Sequence, residues 1–595
     1  MHWFYDDDAT PDEDKITSRN WRVTKNLAPY FKKYIGKIII ASVLLLLSTL
    51  FALIGPILIK HAIDIEIPGK NIHGLLIIGF VYLFLQIFII LVRYFQNIEI
   101  MTVGERAIAD LKSDTFEQLL NLPLDYFDRN SVGTLISRTE SDSETLKLLF
   151  SHTAVVVISN IALILGMSVV MITVNYRLYL LILCIVPFFL FGFWQFQRSV
   201  RPVFLQLRRK FAQINSLIIE ALTGINVIQV FNQHDYFTGR MHEFGKGKRY
   251  FDLKSQTYWY RTWFLVEIGE AIGIILVIGL GGRWALQNII SIGSLYLFIT
   301  YITRLFVPLR GLSDQINLMQ RSFASAERIF AILGTVREES YQEGKSLCTF
   351  NDRVTFKDLG LYYEKEKWVL QNINFELCKG ERIALVGETG GGKTSIVSLL
   401  LNFYQPKKGT ILFDGLSITD IDQRSLRSKI GFVPQDVILF PGSITDNLRL
   451  FNKSITAEQV IAAAKRAHIH ERIMDLPQHY DTNIVEQGIN LSFGERQLLS
   501  YTRALVFDPE ILILDEATSS VDPESERQVQ KGMKELLKDR TAIIIAHRLT
   551  TTRLANKVLV IHKGSLIETG THEELIRKQG HYAAMYHLQY LKKNP

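Results

Sequence analysis

Gly387-Glu388-Thr389-Gly390-Gly391-Gly392-Lys393-Thr394 is the stretch that decides how the second half of this chain folds. Before it, Arg382 to Val386 reads as a short buried strand, and after it Ser395 to Leu401 begins an apolar helix. Strand, glycine-rich loop and helix in that order make a phosphate-binding loop. The N–H groups of Gly390 to Lys393 would cradle phosphates at a helix N-terminus, with Lys393 reaching the β- and γ-phosphates and Thr394 binding Mg2+. Further on, Ile511-Leu512-Ile513-Leu514 is a second buried strand. Asp515 at its end suits the Mg2+ shell, and Glu516 beside it can take a proton from, or orient, an attacking water. His547 follows a third strand, Thr541 to Ala546, and can donate to a γ-phosphate.

The first half of the chain says what this machinery is attached to. At 595 residues and 48% hydrophobic, the chain is too long for one domain and too apolar for an ordinary soluble enzyme. Ile38 to Ile59, Gly74 to Val92, Thr153 to Tyr176 and Leu178 to Phe196 each carry enough apolar residues to cross a bilayer; Trp263 to Gly282 and Ile289 to Thr303 are less clean. Six spans are predicted. Residues 1–36 read as a tail and interfacial helix, 37–333 as a transmembrane domain, 334–349 as a linker and 350–590 as the ATP-binding domain. The fold class is therefore a membrane α-helical domain, whose six long helices extend into the cytosol, plus an α/β P-loop domain with a helical subdomain.

Charge sets the expected orientation. Arg208, Arg209, Lys210, Lys246, Lys248 and Arg249 make the loop Arg198 to Lys254 basic, whereas the turns at Asn175 to Arg177 and Gly282 to Asn288 are short. The positive-inside tendency places the long loops, both termini and the ATPase in the cytoplasm, for a multi-pass protein of a plasma or inner membrane. The acidic N-terminus is not a signal peptide, and the basic amphipathic stretch Arg19 to Lys37 is expected along the membrane surface. A net charge of +7 is assigned to membrane lipids rather than nucleic acid. Cys184, Cys348 and Cys378 have no metal or disulfide spacing. The loops Arg93 to His152 and Gln197 to Arg261 exceed simple turns and should carry helices far into the cytosol. Their expected tips, Leu122 to Asp128 and Arg201 to Gln213, would touch the ATPase.

Taken in order, Gly387 to Thr394, Val433-Pro434-Gln435-Asp436, Leu491-Ser492-Phe493-Gly494-Glu495, Ile511 to Glu516, Ser519 to Asp522 and Ile545-Ala546-His547-Arg548 resemble an ATP-binding cassette (ABC) domain. With six spans in front, nearly the whole chain resembles a half-transporter of the ABC multidrug and lipid exporter family. The resemblance implies ATP and Mg2+ as cofactors. Catalysis would fall to Lys393, Gln435, Glu516 and His547, and metal binding to Thr394, Gln435 and Asp515. Nucleotide would be held by Tyr363 stacking on adenine, by Gly387, Glu388, Thr389, Gly390, Gly391, Gly392, Lys393, Thr394 and Ser395, and by Ser492 and Gly494 from the facing chain. Tyr362 is the rival to Tyr363; Asp522 would line the dimer interface and Glu486 would meet the partner.

One motif departs from the family pattern, which reads Leu-Ser-Gly-Gly-Gln at Leu491 to Glu495. Phe493 replaces a glycine that allows close approach, and Glu495 brings a carboxylate toward a triphosphate unless it turns outward. This chain thus resembles the catalytic-site-bearing subunit of bacterial heterodimeric multidrug exporters, with a second ABC half-transporter as partner; a heterodimer is favoured over a homodimer. The expected cargo is an amphipathic small molecule or lipid. Glu267 and Glu270, on one helix face within a span, are candidates for a cavity that favours cations, or else a pair buried against Arg304. The alternatives are a homodimeric lipid flippase and a regulatory membrane subunit that binds ATP without transporting.

Overall fold

The computed structural model describes residues 23, 25–184, 186–337, 344–346, 349–364, 367–485, 488, 490–515, 523–546 and 551–593. The chain divides into two compact units. One comprises the residues up to Leu119 together with Gly133–Gly334; the other comprises Leu120–Val132 and the chain from Thr335 on.

The first unit is helical: α1 Ile35–His61, α2 Ile72–Leu120, α4 Val132–Thr139, α5 Ser141–Leu148, α6 Ala154–Leu183, α7 Val186–Thr223, α8 Ile225–Val230, α9 His234–Leu276, α10 Gly282–Leu286 and α11 Ile292–Leu333; α3, Leu124–Arg129, belongs with the second unit. Four helical stretches among the described residues, Ile35–Glu66, Ile72–Leu120, Val132–Leu183 and His234–Leu286, are long and apolar enough to cross a membrane, and Ile292–Phe306 is a shorter apolar one. Their outward faces are apolar, as hydrocarbon requires: Ile39, Val43, Leu46 and Leu50 on α1 are all exposed. The expected turn after the third span is present. Asn175 leaves helical geometry, at φ −161° and ψ 104°, and its Oδ1 accepts from the N–H groups of Arg177 and Leu178 to start the next helix.

The long helices do continue past their apolar segments. At 49 residues, α2 is about 70 Å long, more than twice a hydrocarbon core. Its polar half is tied to neighbours through Lys112, which pairs with Glu140 and Glu144, and α5 is in turn tied to α11: Asp142 takes a two-pronged contact from Arg328 while accepting from Ser325.

The amphipathic N-terminal stretch packs one face on protein: Val23 and Leu27 are buried with Ile108, Leu111, Leu146, Ala326 and Ile329. Tyr30, Lys33 and Lys37 reach Asp114, Asp110 and Glu99 on α2. Those acidic groups sit one helical turn or more apart along α2 and fix the segment by charge as well as by its apolar face. One expectation is corrected: the tip of the second loop is not Arg201 to Gln213, which lies inside the continuous helix α7. The chain reverses at residues 224–233, where Gly224 precedes the six-residue α8 and Asn232, at φ 51°, permits the turn into α9.

In the second unit, β3 Arg382–Val386, β6 Ile430–Val433, β9 Ile511–Asp515, β10 Thr541–Ile545, β11 Lys557–His562 and β12 Ser565–Gly570 form a six-stranded sheet in the order β12-β11-β3-β10-β9-β6. A second, antiparallel sheet contains β1 Arg353–Tyr362, β2 Trp368–Cys378, β4 Lys408–Phe413 and β5 Leu416–Ser417, and the short strands β7 Gly442–Ser443 and β8 Asn483–Ile484 pair with each other. Strand periodicity divides the larger sheet's side chains between two cores. Ile511, Ile513, Ile543 and Ile545 pack with the antiparallel sheet, while Leu512, Leu514, Ala542 and Ile544 pack under a helical layer. That layer includes α14 Ile444–Arg449, α15 Ala457–Arg466 and α17 Phe493–Phe507; α12 Lys393–Leu400, α13 Gln423–Lys429 and α16 His470–Met474 also belong to this unit.

Candidate active site

Parallel pairing sets the strand ends in a row. Leu385 faces Ile545, Ile545 faces Asp515, and Leu514 faces Val433, so the residues following β3, β9 and β6 emerge along one edge, where open α/β sheets bind ligands. Gly387 to Gly392, Asp515 and Gln435 all belong to that edge. Glu516, His547, Asp522 and Glu486 lie outside the described residues, as does Cys348.

The loop owes its shape to glycine at two positions. A Cβ on Gly387 would stand 2.1 Å from the Ile561 carbonyl oxygen. Gly392 has φ +101°, and a Cβ there would also meet Leu370 at 2.6 Å. Gly392 is the N-cap of α12 and supplies no side-chain hydrogen bond, so the first N–H groups of that helix are not consumed by a cap. Lys393 is almost fully buried, and its ammonium donates to the carbonyl oxygens of Gly387 and Glu388, each at 2.8 Å. Burial pushes its pKa down, and the charge of nearby Asp515 opposes that shift. Asp515 is itself buried, whereas Thr394, Glu388, Thr389 and Gly390 are exposed, as is Gln435, two residues beyond β6.

The two neighbouring tyrosines have different surroundings. The Tyr363 hydroxyl donates to Ser395 Oγ on α12 at 3.0 Å, and its ring meets Tyr404 edge-on with centroids 4.9 Å apart. Tyr362 pairs across the strands with Trp368. Tyr404 also reaches the first loop tip, since its hydroxyl donates to Asp128 on α3.

At the altered motif, Ser492 is the N-cap of α17 and a capping box is formed. Ser492 Oγ accepts from the Glu495 N–H at 3.2 Å, and Glu495 Oε2 accepts from the Ser492 N–H at 2.7 Å. The other carboxylate oxygen of Glu495 accepts from Arg472 on α16. Burial alone would raise the pKa of Glu495; the Arg472 and Ser492 hydrogen bonds and the guanidinium charge outweigh it and hold the carboxyl below its ordinary range. Phe493 is partly buried and Gly494 fully. Arg472 was not anticipated: nothing in a lone arginine 23 positions upstream marks it as the partner of Glu495.

A phosphate loop, a buried carboxylate and a capped helix N-terminus on one cassette, with long membrane helices in the same chain, match two known sequence families in succession. Residues 38–309 match the ABC transporter transmembrane region, and residues 370–519 match the ABC transporter domain. The chain belongs to the ABC transporter family. An uncharacterized ABC transporter ATP-binding protein of Bacillus subtilis, YfiC, is 33% identical over 95% of this chain and 93% of its own length. An ATP-dependent lipid A-core flippase of Desulfotalea psychrophila is 32% identical over 89% of this chain and 93% of its own. Among solved structures, a bacterial Atm1-family ABC exporter with ATP bound superposes with a TM-score of 0.76 at 26% identity, covering 93% of this chain and 98% of that one. This ABC transporter is thus a multi-pass membrane protein with one membrane region and one cassette in a single chain, an exporter that binds ATP and couples its hydrolysis to transport. ABC exporters act as dimers, so the chain is half of the working assembly.

Proposed function

We propose that this chain is the catalytic half of a heterodimeric exporter that moves amphipathic small molecules or lipids out across a plasma or inner membrane. The observation carrying this reading is the contrast between an unaltered phosphate loop and a signature in which Phe493 and Glu495 stand beside the surviving Ser492 and Gly494. On this reading Lys393, Gln435, Glu516 and His547 act on one ATP, which is closed over by the partner's intact signature. Tyr363 stacks on adenine, Gly387 to Ser395 hold the phosphates, and Ser492 with Gly494 faces the partner's ATP, which turns over slowly. Thr394, Gln435 and buried Asp515 form an all-oxygen set that fits Mg2+. When bound there, Mg2+ would neutralise charge on the β- and γ-phosphate oxygens. ATP binding draws the cassettes together, the long helices carry that closure to an outward-opening cavity, and hydrolysis resets it. The basic loops support cytoplasmic cassettes and termini.

For cargo, Glu267 is exposed on α9 while Glu270 is partly buried. We assign them to a cavity that favours cationic amphipaths. Efflux of ethidium that is unchanged in Glu267→Gln/Glu270→Gln would reject that assignment. A homodimer is the second reading, favoured by one observation: Glu495 is already committed to Ser492 and Arg472, which lessens its repulsion of a triphosphate. Mass determination of the gently solubilised assembly decides between them. A second, different half-transporter, with turnover lost in Glu516→Gln, supports the heterodimer; a self-pair with Glu516-dependent turnover supports the homodimer.

A further inference from the structure

Pro56 lies inside α1, five residues from its end, and has no N–H to donate to the carbonyl of Ala52 one turn earlier. Hydrocarbon offers no water to replace that donor, so the carbonyl needs a partner from another helix. It has one. Arg304 on α11 donates from Nη1 to the Ala52 carbonyl oxygen at 3.1 Å. One turn earlier on α11, fully buried Tyr301 donates from its hydroxyl to the Leu53 carbonyl oxygen at 2.7 Å. Arg304 belongs to the apolar stretch Ile292–Phe306, where a guanidinium would ordinarily point to a substrate or ion pathway. Here the proline has created an acceptor for it.

The segment is held from other sides too. Leu53 Cδ1 would be 2.3 Å from a Cβ on Gly166 of α6, and the Tyr82 ring of α2 would be 3.3 Å from a Cβ on Gly55. At the far end of the same helix pair, Asp64 accepts from the Gly293 N–H at 2.7 Å and from Ser291 Oγ at 2.5 Å, next to the start of α11. The two anchors are eleven residues apart on α11, about 16 Å along the helix. Helix α11 runs on to Leu333, from which the chain continues into the cassette sequence, and both contacts tie α1 to it.

We propose that Arg304, with Tyr301, is a positioning residue that supplies the hydrogen bond Pro56 removes and so lets α11 set the angle of the first span, rather than a charge that attracts cargo. Removing the proline should then make the arginine dispensable. The test is ATPase kinetics of the assembled transporter in lipid nanodiscs for Arg304→Met, Arg304→Gln, Pro56→Ala and Pro56→Ala/Arg304→Met. With Pro56 present, Arg304→Met should lower kcat about fivefold with an ATP KM within about twofold of the parent, and Arg304→Gln, which keeps a donor, should lose less than about twofold. In the Pro56→Ala background, Arg304→Met should cost less than about twofold. An equal loss from Arg304→Met in both backgrounds, or a Gln variant as impaired as Met, overturns the assignment. Should the Met variant fail to assemble, the Gln variant alone still decides: near-parental kcat supports a hydrogen-bonding role, and loss of activity points to the charge.

Discussion

The cassette carries two helix N-termini that the family turns toward phosphate, and they are built in opposite ways. Helix α12 begins at Gly392, which caps nothing, and the glycines before it leave no side chain in the way. Helix α17 begins at Ser492 and closes a full capping box on itself, with a carboxylate in its first turn and Arg472 behind that carboxylate. A helix N-terminus binds an anion with the N–H groups and dipole that no cap has used. On the proposed reading the first end offers its N–H groups to a triphosphate, while the second places the Phe493 side chain and the Arg472-paired carboxylate of Glu495 where they would face the partner's ATP. A glutamine in place of Glu495 would close the same capping box, so what the altered motif changes at this end is side-chain bulk at Phe493 and charge at Glu495.

Three substitutions test that contrast, in order of expected effect. Lys393→Ala removes the cation of the uncapped end, and ATPase activity should fall by about 100-fold or more, measured as phosphate release. Phe493→Gly combined with Glu495→Gln removes the bulk and the negative charge from the second end; nucleotide retained by the assembly after rapid dilution should rise about threefold or more, and an unchanged amount would mean that neither limits it. Arg472→Ala leaves Glu495 its serine partner but removes the guanidinium. Because Arg472 is half-exposed, the loss should be only about 0.5–1 kcal/mol, read as a small drop in melting temperature. The sign with pH follows from the lowered carboxyl of Glu495: the ion pair contributes fully above the unfolded carboxyl pKa and is lost as pH falls through the folded one. The difference between parent and Arg472→Ala should thus be present at neutral pH and shrink below about pH 4.

What the sequence made legible was local. The strand, loop and helix around Lys393, the turn at Asn175 and the first loop tip at Leu124 to Arg129 all depend on residues a few positions apart, and each stands where periodicity and turn chemistry put it. What it hid was tertiary. The second tip was misplaced because apolar periodicity runs unbroken through α7, and only the pair of Gly224 and Asn232 marks the reversal. The N-terminal helix has the pattern of a membrane-surface segment, and its apolar face is equally suited to Ile108 and Ala326. Arg304 meets Ala52 across 252 positions, so the consequence of Pro56 for α11 cannot be read from either segment alone.

Whether the two ends serve triphosphate unequally is decided by counting the ATP trapped in the Glu516→Gln assembly after free nucleotide is removed. If Phe493 and Glu495 weaken closure of one site, about one slowly released ATP per pair of cassettes is expected. Two equally retained molecules would show that the altered signature of α17 grips triphosphate as firmly as an unaltered one, and would overturn the asymmetric reading.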